Sequence, residues 1–144
     1  MIRGRKVQRL FLTAVLVRDY DEAIAFYVEK LGFEVRLDKP VSDIKRWVVL
    51  APHGGGQGCI LLAKPEAPEQ IARIGGQTGG RVFLFLDTDD FERDFRTYTD
   101  RGVTFVEPPR NEDYGTVAVF EDLYGNRWDL IQHNSFFGLE PLSR

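Results

Sequence analysis

Cysteine and histidine are scarce in this 144-residue sequence. Cys59 is the single cysteine, and His53 and His133 are the two histidines. One thiol excludes an intrachain disulfide framework, so a reducing compartment such as the cytoplasm is the natural location. Cys59 has no adjacent histidine to activate it as a nucleophile, and a buried thiol usually packs as a small hydrophobic group.

Positive charge is also in short supply. The formal net charge is -3, the isoelectric point is about 5.4, and no run of five Lys or Arg occurs. Such a chain has no basic surface to attract a phosphate backbone. We therefore expect no nucleic-acid partner.

Long apolar runs are absent as well, because no stretch approaches the roughly 20 residues that cross a bilayer. The apolar segment Leu10–Val17 follows the basic start Met1–Lys6, as in a signal peptide. It is short, lacks a small-residue cleavage site, and continues directly into the polar segment Arg18–Glu22. We interpret it as a buried strand and expect no membrane partner.

What the chain does contain is ample material for a core, with 43% hydrophobic and 12% aromatic residues. This composition buries enough apolar surface to offset the loss of chain entropy on folding. The length fits one domain, or two small modules that share one core.

The apolar periodicity predicts the same order of elements twice. In the first half, helical spacing predicts a helix over Asp21–Leu31 that Asp19 or Asp21 caps and Gly32 ends. Strands are predicted at Leu10–Val17, Phe33–Leu37, Arg46–Ala51 and Gly58–Ala63. In the second half the corresponding elements are a strand at Arg81–Asp87, a helix at Asp90–Arg101, and strands at Val103–Val106, Thr116–Glu121 and Arg127–Gln132.

A shift of 70 residues aligns Leu16, Asp19, Glu22 and Gly32 with Leu86, Asp89, Glu92 and Gly102. These matches fall at the same structural joints, so duplication of a βαβββ module is the better interpretation. We expect one α+β domain with modules at about 8–64 and 81–133. Residues 65–80, with a possible short helix at Pro68–Ile74, form the linker, and residues 134–144 form a tail.

Two segments carry a family resemblance. Residues 17–27 (VRDYDEAIAFY), followed by 31–35 (LGFEV), resemble the opening module of the vicinal oxygen chelate superfamily. Residues 119–131 (VFEDLYGNRWDLI) are similar to its final hairpin, in which an acidic residue and a Gly-Asn turn precede a carboxylate-bearing strand. The likeness covers roughly residues 8–133. It implies paired βαβββ modules whose curled mixed sheets form a cleft, within one chain or between two chains of a homodimer.

The superfamily includes glyoxalase I, extradiol dioxygenases, fosfomycin resistance proteins and bleomycin-binding proteins, so the resemblance does not fix a reaction. Its enzymes hold a divalent metal with side chains from the first, fourth, fifth and last strands. The matching positions here are Leu12, Leu61, Arg81 and Asp129. An alkyl group does not coordinate a cation and an arginine repels it, so we expect no metal and no other cofactor.

Arg81 and Asp129 instead suggest an ion pair. If both face the cleft, they should lie within hydrogen-bonding reach and cancel each other's charge. Such a pair either stabilises the fold or binds a polar ligand, with Arg81 as the anchor for a carboxylate or phosphate.

Apolar and aromatic side chains surround these positions in the predicted cleft. Strand parity places Phe83 and Phe85 beside Arg81, and Leu10, Ala14 and Leu16 on the first strand. Trp47, Tyr114, Trp128 and Phe120 are candidates for a stacking surface or for core packing, and Trp128 should point away from the cleft if Asp129 points into it. Residues 110–114 form a polar loop that either rims the cleft or is a solvated turn.

Three functions remain open at this stage, and no catalytic residue is assigned. The first is a metal-free homodimer that binds a small, partly apolar or aromatic molecule, through Arg81, Asp129, Phe83, Phe85, Trp47 and Tyr114. The second is a glyoxalase-like lyase or extradiol-type dioxygenase, which would need metal ligands from unexpected places. The third is an interaction module whose cleft is filled by its own side chains.

Overall fold

Eight strands form two four-stranded mixed sheets in the computed structural model, which describes residues 4, 6–55 and 57–142. Most of the basic start lies outside the described residues. The first sheet has the order β1-β4-β3-β2 and the second the order β5-β8-β7-β6, with β1–β4 and β5–β8 parallel and the other pairs antiparallel. The strands are β1 (Leu12–Leu16), β2 (Glu34–Pro40), β3 (Arg46–Ala51), β4 (Cys59–Ala63), β5 (Val82–Asp87), β6 (Phe105–Glu112), β7 (Gly115–Glu121) and β8 (Arg127–His133). The predicted α+β fold of two βαβββ units is confirmed.

Each half has one helix after its first strand. Helix α1 (Tyr20–Ala25) continues as a π-helical turn over Phe26–Lys30, and α3 spans Phe91–Asp100. The linker contains the short helix α2 (Pro68–Ile71), and a 3-10 turn (Ser135–Phe137) follows β8. None of the described helices is long and apolar enough to span a membrane.

An aspartate caps the start of each main helix, and a glycine follows each helical segment. The carboxylate of Asp19 accepts a hydrogen bond from the Glu22 N–H at 2.9 Å, and that of Asp90 accepts from the Arg93 N–H at 3.1 Å. Both helices are therefore capped at their orphan N–H groups. They are followed by Gly32 and Gly102, whose φ angles of 77° and 84° lie in the left-handed region that glycine adopts without strain.

The largest departure from the predicted elements is β6. The sequence predicts a strand at Val103–Val106 and a loop at residues 110–114, whereas β6 extends through Pro108 and Pro109 to Glu112. Both prolines fit because β6 is an edge strand and its register shifts twice between Phe105 and Arg110. The polar residues 110–112 are thus part of the sheet.

A single core lies where the helix-covered faces of the two sheets meet. The ring of Trp128 on β8 lies 5.9 Å from the rings of both Tyr27 and Phe33. Lys30 Nζ donates to the Arg101 carbonyl at 2.7 Å, and Arg101 Nη1 donates to the Lys30 carbonyl at 3.2 Å. These reciprocal contacts join the equivalent ends of the two helical segments.

The opposite face of each sheet, which we call its open face, is not packed against these helices. On the first sheet a separate apolar cluster contains only strand residues: Leu12, Val49, Ala51, Cys59 and Leu61. On the second sheet, alternation along the strands places Phe85, Val117, Val119, Asp129 and Ile131 on this face.

A linker side chain covers part of the β1 edge. Gln77 Nε2 donates to the Ala14 carbonyl at 3.1 Å, and Gln77 Oε1 accepts from the Leu16 N–H at 2.7 Å. The Gln77 amide therefore satisfies two groups that a neighbouring strand would otherwise bind.

Candidate functional site

The positions that match the family's metal ligands do not come together as a metal site. Leu12 and Leu61 lie on the open face of the first sheet and pack with Val49, Ala51 and Cys59. These side chains offer no nitrogen or carboxylate oxygen to a hard cation. Among the described residues, no group of three or more His, Cys, Asp or Glu is arranged to hold a metal.

The two histidines are engaged elsewhere. His53 Nδ1 lies 3.0 Å from a Glu34 carboxylate oxygen, and His133 Nδ1 lies 2.7 Å from an Asp87 carboxylate oxygen. The contact with Asp87 raises the pKa of His133. The family's metal therefore does not fit this set of residues.

Asp129 is the remaining acidic residue of that set, and it lies on the open face of the second sheet. It is only 6% exposed, and its Oδ1 has no hydrogen-bond partner among the described residues. Burial raises the pKa of the Asp129 carboxyl, since removal from water disfavours the charged form; nearby Arg110 opposes this effect and Glu107 adds to it. Asp129 is thus a buried acid without a partner.

The predicted contact between Arg81 and Asp129 is wrong. Arg81 is exposed, precedes the first residue of β5, and forms no ion pair with Asp129. The cause is a register shift between Val82 and Leu84, which breaks the alternation on which the prediction relied.

The same shift separates the two phenylalanines of β5. Phe83 packs against the core between the sheets, whereas Phe85 pairs with Asp129 in register and is 66% exposed. Of the two, only Phe85 presents its ring on the open face.

Arg110, and not Arg81, is the arginine on the open face with Asp129, and it binds other carboxylates. Register places Glu107 opposite Val119 and Arg110 opposite Val117, on the same face as Asp129. The Arg110 guanidinium donates to Glu112 at 2.9 Å and to Glu107 at 3.1 Å. The sequence did not predict this group, because the two prolines of β6 argued against a strand at these residues.

The remaining aromatic candidates divide between the two faces. Trp47 is 44% exposed and pairs with Lys39 at the edge of the first sheet, on the face that carries Val49. Trp128 and Phe120 lie in the core, and their rings stack with centroids 5.9 Å apart. Alternation therefore predicted the direction of Trp128 correctly. Phe120 is excluded from the stacking surface of the cleft. Leu10 lies before β1 and is 92% exposed.

Tyr114 lies in the turn between β6 and β7 and contacts the tail. Its ring centroid is 6.1 Å from that of Phe136 and 5.7 Å from that of Phe137. The tail also meets His133, whose Nε2 is 3.3 Å from the Leu139 carbonyl oxygen. Tyr114 therefore joins the tail to one end of the second sheet.

The acidic turn that carries the family resemblance has a structural role. The buried carboxylate of Asp122 accepts hydrogen bonds from the Tyr27 hydroxyl at 2.7 Å and from the Asn126 side chain at 3.0 Å. It also accepts from the N–H groups of Tyr124, Gly125 and Asn126. The motif thus closes the β7–β8 turn and ties it to the first half of the chain.

A cavity of about 800 Å³ lies away from the open faces, between the end of β5, helix α3 and the first half. Part of its charged lining is paired internally, since Arg93 binds Asp89 at 2.7 Å and Asp94 at 2.9 Å. Neither Asp129 nor any other predicted ligand-binding residue lines it. The open faces, where Asp129 lacks a partner, remain the candidate site.

Comparison with known proteins agrees with this fold. The chain is 55% identical over 128 residues to an uncharacterized protein of Shewanella frigidimarina (strain NCIMB 400), covering 88% of this chain and 95% of that one. It is 32% identical to the crystal structure of a superfamily member from Sphaerobacter thermophilus DSM 20745, with a TM-score of 0.74 and coverage of 87% and 97%.

A further solved structure is TnmS3, an antibiotic binding protein from Streptomyces sp. CB03234. It is 30% identical to this chain with a TM-score of 0.74, and the match covers 91% of this chain and 100% of that one. The profile of one family matches residues 9–130. This chain therefore belongs to the Glyoxalase/Bleomycin resistance protein/Dioxygenase superfamily.

Proposed function

We propose that this protein binds a small, partly apolar or aromatic organic molecule on its open sheet faces, without a metal, as a cytoplasmic homodimer. Both βαβββ halves would act as one domain. The observation that carries the proposal is the apolar cluster at Leu12 and Leu61, where an enzyme of the family would place metal ligands. The single buried thiol, Cys59, fits a reducing compartment.

The chemistry of the open faces supports an organic ligand. The first sheet contributes aliphatic side chains and the exposed indole of Trp47 near the start of β3, and the second contributes the exposed ring of Phe85 beside Asp129. Mostly apolar walls with a few polar groups are typical of small-molecule sites. The likeness to TnmS3, an antibiotic binding protein, also supports this class of function.

A second copy of the chain is proposed to complete the cleft. Several large apolar side chains near the open faces are exposed, including Leu10 at 92%, Phe11 at 59% and Phe85 at 66%. An exposed apolar surface of this kind usually marks an interface or a ligand groove. In a dimer, the first sheet of one copy would face the second sheet of the other.

The dimer has a direct test. The wild-type protein is expected to sediment at twice its chain mass of 16.5 kDa. Replacing both Leu10 and Phe11 with aspartate should shift it to the monomer, because charge is unfavourable in a buried apolar contact. Ile71→Asp, at a 56% exposed position of the linker, is the matched control and should remain dimeric. A monomeric wild type at tens of micromolar would contradict the proposal.

Ligand binding is tested with 2-naphthalenemethanol, a neutral aromatic probe, by isothermal titration calorimetry. Trp47→Ala is expected to weaken binding at least fivefold, since it removes the stacking surface of the open face. Phe136→Ala, which removes an aromatic ring that is 63% exposed on the tail, is the control and should leave affinity within twofold.

The metal is tested on the same protein, purified without chelator and offered nickel, zinc, manganese and iron(II). Elemental mass spectrometry after dialysis should find well below one ion per chain. One retained ion per chain would favour the lyase or dioxygenase alternative.

In the ligand test, failure of the naphthyl probe to bind would count against the organic-ligand site.

A further inference from the structure

The unpartnered oxygen of Asp129 is a feature of the second sheet that the apolar site leaves unexplained. Asp129 is 6% exposed, and its Oδ1 has no hydrogen-bond partner among the described residues. Burying a carboxylate without a partner is costly, and a bound group that supplies one recovers that cost on binding. The open face is therefore poised for a ligand with a hydrogen-bond donor at this point.

The nearest cation is not free to serve as that donor. Arg110 is held by Glu112 at 2.9 Å and by Glu107 at 3.1 Å, so its guanidinium is already shared between two carboxylates. With Asp129 ionised, this group of four residues has three negative charges and one positive charge. The ligand that fits this group carries a positive charge.

Neighbouring rows of the sheet add no net positive charge, because each cation in them is matched by a carboxylate. Glu121 and Arg127 face each other in register one row away, and Asp87 pairs with His133 at 2.7 Å towards the other end. Arg81, the residue predicted to balance Asp129, lies outside β5. The excess negative charge thus stays at Asp129 and its β6 neighbours.

An apolar group can lie directly beside this charge. Phe85 and Val119 flank Asp129 in register on the two adjacent strands, and the Phe85 ring is 66% exposed. An aromatic face next to a carboxylate favours a cation carried on an apolar body, because the ring adds a cation–π contact to the ion pair.

We infer that the ligand carries a protonated amine on an aromatic or aliphatic body, with the ammonium group bound to Asp129 and the apolar part against Phe85. This inference rests on the proposed function and specifies the ligand class of the same site. It reverses the polarity that Arg81 suggested, which was a ligand with a carboxylate or phosphate.

The experiment compares three probes that share one ring system: 2-naphthylmethylamine, 2-naphthalenemethanol and 2-naphthoate. Their affinities for the full-length protein are measured by titration calorimetry at pH 7 and low salt. The ammonium probe is expected to bind at least tenfold tighter than the alcohol, and the carboxylate probe more weakly than the alcohol. Asp129→Asn should remove the advantage of the amine over the alcohol.

Asp113→Asn is the matched control, since it removes an exposed carboxylate from the turn between β6 and β7 and should preserve the advantage of the amine. Equal binding of amine and alcohol overturns the inference and leaves the proposed function standing. An amine advantage that survives in Asp129→Asn also overturns it, because another group would then be the partner. Failure of all three probes to bind overturns both.

Discussion

Asp122→Ala is expected to lower the free energy of unfolding by about 3–4 kcal/mol, the largest loss we predict for a single substitution. The Asp122 carboxylate accepts from the Tyr27 hydroxyl, from the Asn126 side chain and from three backbone N–H groups of its own turn. Alanine removes the carboxylate acceptor from buried and part-buried donors, of which the Gly125 N–H keeps the backbone carbonyl of residue 122. Urea denaturation at constant protein concentration measures the loss.

Two companion variants separate the network from a general charge effect. Tyr27→Phe removes only one of the five bonds and should cost about 1–2 kcal/mol. Asp43→Ala lies in the exposed turn between β2 and β3 and should cost less than about 0.5 kcal/mol. If Asp122→Ala costs no more than Asp43→Ala, the turn does not depend on its carboxylate.

Asp129→Asn is expected to have the opposite sign and to stabilise the protein by about 1–3 kcal/mol at neutral pH. Burial raises the pKa of the folded Asp129 carboxyl above its unfolded value of about 3.9. Between those two values the folded state holds a proton that the unfolded chain has lost, so stability falls as pH rises through this window. Because asparagine does not ionise, the variant does not lose stability in this way as pH rises.

The gain should therefore depend on pH. Wild type and Asp129→Asn should differ little near pH 3 and should diverge as pH rises, until the carboxyl is ionised in both states of the wild type. Asp43→Asn, at an exposed position, should show no such divergence. If Asp129→Asn is less stable than wild type at pH 7, the carboxylate has a stabilising partner in solution and is not available to a ligand.

Much of the fold was predictable because the core pattern is regular. Period-two alternation placed Trp128 in the core and Asp129 on the other face. Of the two candidate caps, Asp19 and Asp21, the first helix uses Asp19, and Gly32 follows the helical segment as predicted. These features depend on local periodicity and on the chemistry of helix ends, which a sequence displays directly.

The candidate site was harder to predict because it depends on irregular strands. One shift in β5 moved Phe83 out of the cleft and removed the reason to pair Arg81 with Asp129. Two shifts in β6 brought Glu107 and Arg110 onto the open face despite the intervening prolines. A bulge reverses the direction of the side chains that follow it, and the sequence gives no strong signal of it. One bulge therefore changes which charged side chains lie on the open face.

The amide of Gln77 also limits the addition of a further strand at the β1 edge. It binds the Ala14 carbonyl and the Leu16 N–H as a strand would, yet it has no further edge of its own to offer. Where a side-chain amide occupies the hydrogen-bonding groups of an edge strand, a strand of another chain cannot pair there. Repeated strand pairing of that kind is the route to fibrils. The segment that joins the two halves thereby also blocks strand addition at this part of the β1 edge.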